Sequence, residues 1–449
     1  MASIASTVAR IKSDPSHVLK RSVVEGICHE LNYDWRQREL DPATTVGLFL
    51  QQIAHGNVPC SEVRHLAHGH FTGSAYCQAR QRLPLAVLQR LSERIQQAVL
   101  PPAKALTTRW RGHRTWHIDG SSFSMSDTLV LRKHFGLPNG QKPGCGFPTA
   151  HLLVLFDAGS GMVQDMRAWP RRTGDLNHTP DCHQHLGPGD ILIGDDCFGS
   201  YAHIALLLGR GAHGLFPLHH ARTVSFVPHR PYAAEGEPNP RGRPRTRWVK
   251  SLGWQDQIVE WFKPTACPTW MDAATYAALP ESIQVREVRR TVYLRGRRRV
   301  TVTIVTTLLN PRRYPARELV KLRMRRWDVE TNIGHLKTTM KMDILRCQSV
   351  EGVTKELAVF QLVYNLVRAV MLEAAFRQSV TVSRISFADT LKWLRHARPG
   401  DNLPALVVNL SRPERIEPRA VKRRPKEYDR LTKPRDELRK ALKNQYRTV

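Results

Sequence analysis

Residues 319–341 read LVKLRMRRWDVETNIGHLKTTMK, and the way their charges sit against their apolar positions decides how the rest of the chain is read. At ~100° per residue, Leu322, Val329, Ile333, Leu336 and Met340 fall within about 60° of one another, a stripe fit to face a core. Arg326, Glu330 and Lys337 lie beside it within about 40° of one another, with Arg323 and Lys341 at the margin. One carboxylate is thereby held between cations next to a core-facing stripe. On spacing alone this is an amphipathic helix with i,i+4 ion pairs, which are common and weak. Other parts of the chain must raise it above that.

Working upstream, the pattern from about Arg111 is that of strands. RTWHIDGSSF (114–123) holds a short β-run ending in Asp119-Gly120. AHLLVLFD (150–157), the turn AGSG and MVQDMRAW (162–169) read as a hairpin. A helical piece over 175–186 precedes PGDILIGDD (188–196), an apolar strand ending in Asp195-Asp196. It runs into the helix SYAHIALLLGRG (200–211) and the short strand HGLFPL (213–218). This order predicts a mixed sheet with helices packed on it, and polar groups at the strand ends of such a sheet open into a site. A single Asp there is usually a turn residue or N-cap. Two of them, each ending an apolar strand of one sheet, point to a shared carboxylate site.

Residues 1–105 read as helical throughout. Asp41-Pro42 is an N-cap followed by a first-turn proline, and Ser61 and Ser74 are positioned to cap two short helices. That pair, 61–67 and 74–83, has helix-turn-helix proportions, and its second member carries Gln78, Arg80, Gln81 and Arg82, side chains suited to base edges and phosphates. An ordinary helical bundle has the same spacing. Residues 220–310 are Arg- and Pro-rich and read as a β-rich insertion that does not continue the sheet, with strand-like pieces at TVSFVP, DQIVEWF, IQVREVRRTVYL and RRVTVTIVTTLL. Its loop PNPRGRPRTRW holds Arg241-Gly242-Arg243-Pro244, an extended basic segment of the kind that can lie in a minor groove. An apolar helix over 350–376, a further helix over 387–394 and a basic tail from Arg412 complete the chain.

The 449 residues carry 68 Lys+Arg against 39 Asp+Glu, a net charge of +29. That excess is the footprint of a protein that neutralises phosphates and is unusual for an enzyme of small metabolites. The eight cysteines form no CxxC pair, which speaks against a structural zinc site or disulfide framework and for a reducing setting. His178, Cys182, His183 and His185 cluster in sequence, but as incidental ligand types in a loop or short helix. The N-terminus lacks the apolar core of a signal peptide. The apolar run 357–375 is interrupted by Gln361, Asn365, Arg368 and Glu373, as in a buried helix.

HIDGSSFSM, QKPGCGFPTAHLLVLFD, GPGDILIGDDCFGSY and RRWDVETNIGHLK, in that order, resemble the DDE transposases of bacterial insertion sequences, of the insertion sequence 4 type, over roughly residues 110–375. The resemblance implies Asp119 as first catalytic carboxylate and Asp195, in a stretch similar to Asp-Arg-x-Phe-x-Ser-Tyr, as second. Glu330 is the third, within a Tyr-x2-Arg-x3-Glu-x6-Lys helix that Arg326 and Lys337 match. Two positions depart from that pattern: Arg323 stands at the Tyr and Asp196 at the Arg. Also implied is a ribonuclease H-like α/β fold, a mixed sheet with flanking helices. Its domains are an all-α DNA-binding domain at 1–105, core at 106–219, a β-rich insertion at 220–310, core with the Glu helix at 311–378 and a basic region at 379–449. Two Mg²⁺ ions per site, replaceable by Mn²⁺, are implied on Asp119, Asp195 and Glu330, with Arg326, Lys337 and Arg323 on DNA phosphates. The partners implied are double-stranded DNA, as transposon ends and target, and a second copy in the DNA complex. No membrane is expected, and the setting is the bacterial cytoplasm at the nucleoid. The expected activity is cut-and-paste transposition. A catalytically silent DNA-binding relative, or a ribonuclease H-like nuclease without strand transfer, remain the alternatives.

The charge alone generates one test. Affinity for duplex DNA should fall with salt at a slope of about −0.9 per phosphate contact in log–log form, and a salt-insensitive affinity would refute the polyanion reading.

Overall fold

The computed structural model describes residues 20–66, 69–103, 109–138, 142, 144–171, 173–234, 238–239, 242–292, 299–396, 403–406 and 433–445. Arg241 and most of the tail from Arg412 lie outside them.

Five helices open the chain: α1 Arg21–Glu30, α2 Pro42–Ala54, α3 Cys60–Leu66, α4 Gly73–Arg82 and α5 Leu85–Ala103. Asp41 caps α2 as its sequence predicts, accepting from the Thr44 amide at 2.8 Å. The next caps shift by a residue or two: α3 begins at Cys60, and Thr72, not Ser74, caps α4 by accepting from the Ala75 amide. Ten strands follow among the described residues. They are β1 Thr115–Met125, β2 Thr149–Asp157, β3 Val163–Pro170, β4 Ile191–Ile193, β5 His213–Pro217, β6 Thr246–Gly253, β7 Asp256–Phe262, β8 Ser282–Val292, β9 Val300–Thr306 and β10 Ile344–Leu345. Between them lie α6 Leu129–Phe135, α7 Tyr201–Gly209, α8 Ala316–Met324 and α9 Trp327–Gly334, and after them α10 Val350–Arg377, α11 Phe387–His396 and α12 Arg435–Gln445.

The strand order is β3-β2-β1-β4-β5-β9-β8-β7-β6, with β10 beside β1. β1, β4 and β5 are parallel, while β2–β3 and β6–β9 pair antiparallel. Two expectations for 220–310 are therefore corrected. These strands do continue the sheet, because β9 hydrogen-bonds to β5 with Leu215 opposite Thr306. TVSFVP is no strand. The reason is the unsatisfied outer edge of β5, which any β-forming segment can complete but whose partner no local pattern reveals.

Side-chain alternation splits the sheet between two layers of helix. Trp116, Ile118, Leu153, Leu155 and Leu192 face α7. Phe123, Met125, Leu152, Val154 and Phe156 face α9 and α10, and Ile191 and Ile193 face α8. Strands buried on both faces read as the near-continuous apolar runs seen in LLVLF and ILI. Helix α10 has the length and apolarity of a membrane span, but most of that surface is buried within the protein. The polar residues that interrupt it secure the hairpin. Asn365 accepts from the Val163 amide and donates to its carbonyl, both at 2.9 Å, and Arg368 donates to Ser160 O at 2.5 and 3.0 Å. Gly161, at φ +69°, leaves room for that arginine; a Cβ there would lie 2.1 Å from Arg368 Nη2.

The N-terminal helices share this core, with Val46, Phe49, Leu88 and Leu91 in one cluster with α10. Arg80 is correspondingly not a base-reading side chain. It is buried, donating to Gln52 Oε1 at 3.0 Å and Cys347 Sγ at 2.8 Å, while Gln78, Gln81 and Arg82 remain exposed.

A second buried arginine ties the outer strands to the centre. Arg286 on β8 makes a bidentate pair with Asp256 at 2.7 and 2.6 Å and donates to Tyr314 O at 2.7 Å. The Tyr314 hydroxyl in turn meets His113 Nε2 at 2.7 Å, just before β1. Removing one partner of such a pair strands a charge out of water. Asp256→Ala is expected to cost about 3–5 kcal/mol, read as a lower melting temperature; wild-type melting would show that the pair is not holding the outer strands.

Candidate active site

Parallel pairing of β1 and β4 sets Thr115, Trp116 and His117 opposite Ile191, Leu192 and Ile193. Two residues further along each chain, Asp119 comes opposite Asp195, both on the face covered by α8 and α9. Asp195 sits in extended backbone where β4 ends and a 3-10 turn, Asp196–Phe198, begins. Glu330 reaches the same place from α9.

The stretch 319–341 is not the single helix its periodicity predicts. It breaks at Arg325-Arg326, whose amides turn back to Leu322 and Arg323 carbonyls at 3.1 Å, and its end winds into a π-helical turn, His335–Thr339. The apolar stripe is buried nonetheless, with Leu322 in one core and Val329, Ile333, Leu336 and Met340 in another. The break turns Arg323 and Arg326 onto the acids together. Arg326 lies 3.1 Å from Asp119 Oδ2, 3.0 Å from Glu330 Oε1 and 3.7 Å from Asp195 Oδ1, and Arg323 lies 3.4 Å from Asp195 Oδ1. One buried guanidinium thus meets all three carboxylates. The π turn inserts an extra residue, and Lys337 Nζ donates to Ser121 Oγ at 3.2 Å, on β1 two residues past Asp119.

Burial pushes the Asp119 carboxyl up to about 6, with Asp195 adding to the shift and Arg326 opposing it. Burial also lowers the Arg323 guanidinium to about 10, helped by Arg326 beside it. His117, on the same face of β1, is lowered to about 3 by burial and then by Arg325 and Arg323. The site therefore holds neutral histidine and crowded charges of both signs. Three carboxylates converging on one guanidinium present hard oxygen donors, the ligand type that suits a divalent ion such as Mg²⁺.

Several neighbours are not singled out by the sequence. Asp175, from the turn after β3, packs so close to Gly120 that a Cβ there would lie 2.4 Å from its Oδ1, and it pairs with His151. The Asp-Gly step after an apolar run was the available hint. Asp196 pairs with His220, 3.9 Å away, and with His219 forms a group whose ligand atoms lie within 4.8 Å. The four residues of the 178–185 cluster have separate environments: His178 stacks on Trp169, Cys182 is buried, His183 meets His203 at 2.9 Å, and His185 meets Asp165 at 3.1 Å.

Comparison with known protein families places most of this chain. The family described as Transposase DDE domain covers residues 110–366, and the chain belongs to it. Within that family it is similar to a transposase of the insertion sequence 4 type. It is 31% identical over 145 residues to Transposase InsG for insertion sequence element IS4 of Escherichia coli (strain K12), a match covering 28% of this chain and 33% of that protein, and so about a third of the relative's length. Among solved structures, the piggyBac transposase in its synaptic complex with hairpin DNA aligns with a TM-score of 0.41 at 9% identity, over 88% of this chain and 80% of that one.

The Asp119 shift has a sign that can be measured. Its folded pKa of about 6 exceeds the ordinary 3.8, so the native state holds the proton more tightly and loses stability as pH rises through that window. Asp119→Asn should melt a few degrees above wild type at pH 7.5, with the gap closing toward pH 4. A variant that melts lower at neutral pH would refute the shift.

Proposed function

We propose that the chain is a cut-and-paste DNA transposase that binds the terminal inverted repeats of its element, cleaves there and joins the freed 3′-OH ends to target DNA. What carries the reading is the meeting of Asp119, Asp195 and Glu330 on Arg326. The order β3-β2-β1-β4-β5, with the first three antiparallel and the last three parallel, supports a ribonuclease H-like core. The helices before it support an N-terminal DNA-binding part, and β6–β9 an insertion that extends the sheet.

Asp119, Asp195 and Glu330 are the residues that would hold two Mg²⁺ ions. When bound, these supply the charge that stabilises the attacking and leaving oxygens of an in-line displacement. The chain's own cations handle the phosphates. Arg326 offers a planar two-donor fork and Lys337 a point charge held beside Ser121. Arg323 stands at the flank of Asp195, where its guanidinium balances that carboxylate while remaining within reach of the same strand. In cleavage, water attacks phosphorus and the 3′ oxygen leaves, giving a 3′-OH and a 5′-phosphate. In joining, that hydroxyl attacks a target phosphodiester and displaces its 3′ oxygen. Because two ends must be held together, the DNA complex contains at least two copies.

The test is purified protein, Mg²⁺ and a linear DNA bearing the source element's terminal repeats. Joined product is expected. Cleavage without joining would instead indicate a nuclease, and binding alone a silent DNA-binding relative. Asp119→Asn, Asp195→Asn and Glu330→Gln should each abolish cleavage while leaving DNA binding largely intact. Retained cleavage in any of the three would remove that residue from the site.

A further inference from the structure

The β6–β7 hairpin turns through two residues, Trp254 and Gln255, between the paired Gly253 and Asp256. Trp254 is 72% exposed, the only tryptophan among the exposed large apolar side chains of the described residues. The indole at this hairpin tip meets the Arg290 guanidinium, 5.8 Å from its ring centroid, and leaves most of its surface open, where Asn, Asp or Gly would make the turn more easily. The tip is nonetheless firmly held. Arg290 Nη1 donates to the carbonyls of Trp254 at 2.6 Å and Gln255 at 3.1 Å, and the Arg289 amide donates to Gln255 O at 2.9 Å. Gln255 is thereby kept at φ +48°. Directly after the turn, Asp256 is fixed by the buried Arg286. A large apolar side chain presented on a rigid stem is pre-organised for a partner.

Strand directions say where that partner lies. Cross-strand register runs from Ile193 to Leu215, Thr306, Arg286 and Ile258. Following the alternating directions, the start of β7 and the tip before it lie on the same edge of the sheet as Asp195 and Asp119. Four strand spacings and a two-residue offset separate Trp254 from Asp195, roughly 20 Å along that edge. A duplex lying there with its reacting phosphate at the carboxylates covers that span in about six base pairs. The neighbouring strand β6 exposes Lys250, a cation suited to its backbone, while Arg247 on the same strand is paired with Glu260.

We propose that Trp254 is a DNA-contacting residue, its indole packed as a wedge against the duplex about six base pairs from the scissile phosphate. The proposal rests on the transposase reading. The experiment uses the full-length protein and a duplex carrying the source element's terminal repeat, with 2-aminopurine placed at successive positions from the cleavage site. Binding should perturb the probe at about five to eight base pairs from that site. Trp254→Ala should abolish this signal and weaken binding about tenfold, and Trp254→Phe should recover most of both. The melting temperature and the salt slope should match wild type, since the side chain is exposed and uncharged. Wild-type affinity in Trp254→Ala would overturn the proposal alone. So would a change in oligomeric mass without a change in the probe signal, which would assign the indole to a protein partner. Failure of the wild-type protein to bind any duplex would overturn the transposase reading itself.

Discussion

Three carboxylates cannot converge on one half-buried place without opposing charge, and Arg326, in contact with each of them, provides it. Asp119 is raised to about 6 even with that guanidinium in contact, which shows how far burial and mutual repulsion work against the arrangement. The side chain that relieves the strain comes from the same segment as Glu330, four residues earlier. Closing α9 onto the sheet therefore delivers the third acid and its counter-charge in one step. Arg323, one helical turn before Arg326, pairs with Asp195 from the other side of the break.

Everything else in the fold serves to keep those groups in register. The β1–β4 pairing fixes Asp119 against Asp195, and apolar packing on both faces prevents either strand from slipping, because a one-residue slip would exchange the two faces. On one face α8, α9 and α10 cover the sheet, and on the other α7 does. The outer strands are joined to this centre through buried polar contacts, Asp256 to Arg286, Arg286 to Tyr314 and Tyr314 to His113. Tyr314 directly precedes α8, so the position of the arginine-bearing helix is coupled to strands four places away in the sheet.

The basic excess has a less uniform meaning than a total of +29 conveys. Arg80, Arg286 and Arg368 are internal, each spending its charge on sulfur, carboxylate or carbonyl partners. Arg323 and Arg326 are internal as well, but they face carboxylates at the edge of the sheet, where a phosphate can compete for them. Lys337, held at Ser121 on β1, adds a cation to the same end of the sheet as the acids. The polyanion reading survives this sorting, while the identity of the cations that serve it changes.

The sequence by itself determined what depends on local pattern. The apolar runs AHLLVLFD and MVQDMRAW around the turn AGSG determined the hairpin, Asp41-Pro42 determined a helix start, and Asp195 was placed by its strand end; Asp119 and Glu330 were placed by a resemblance in order and spacing, and Asp119 lies inside β1 instead of at its expected end. Tertiary structure alone decided what depends on which surfaces meet. The break at Arg325-Arg326 has no glycine or proline to announce it, so periodicity ran through it; it exists because the acids on the sheet hold the two arginines. The placement of β9 beside β5, the burial of Arg80, the move of Lys337 to Ser121 and the closeness of Asp175 to Gly120 are likewise contacts between distant segments. Hydrogen bonds and charge pairs of that kind are selected by the assembled core, and a chain read one residue after another carries no record of them.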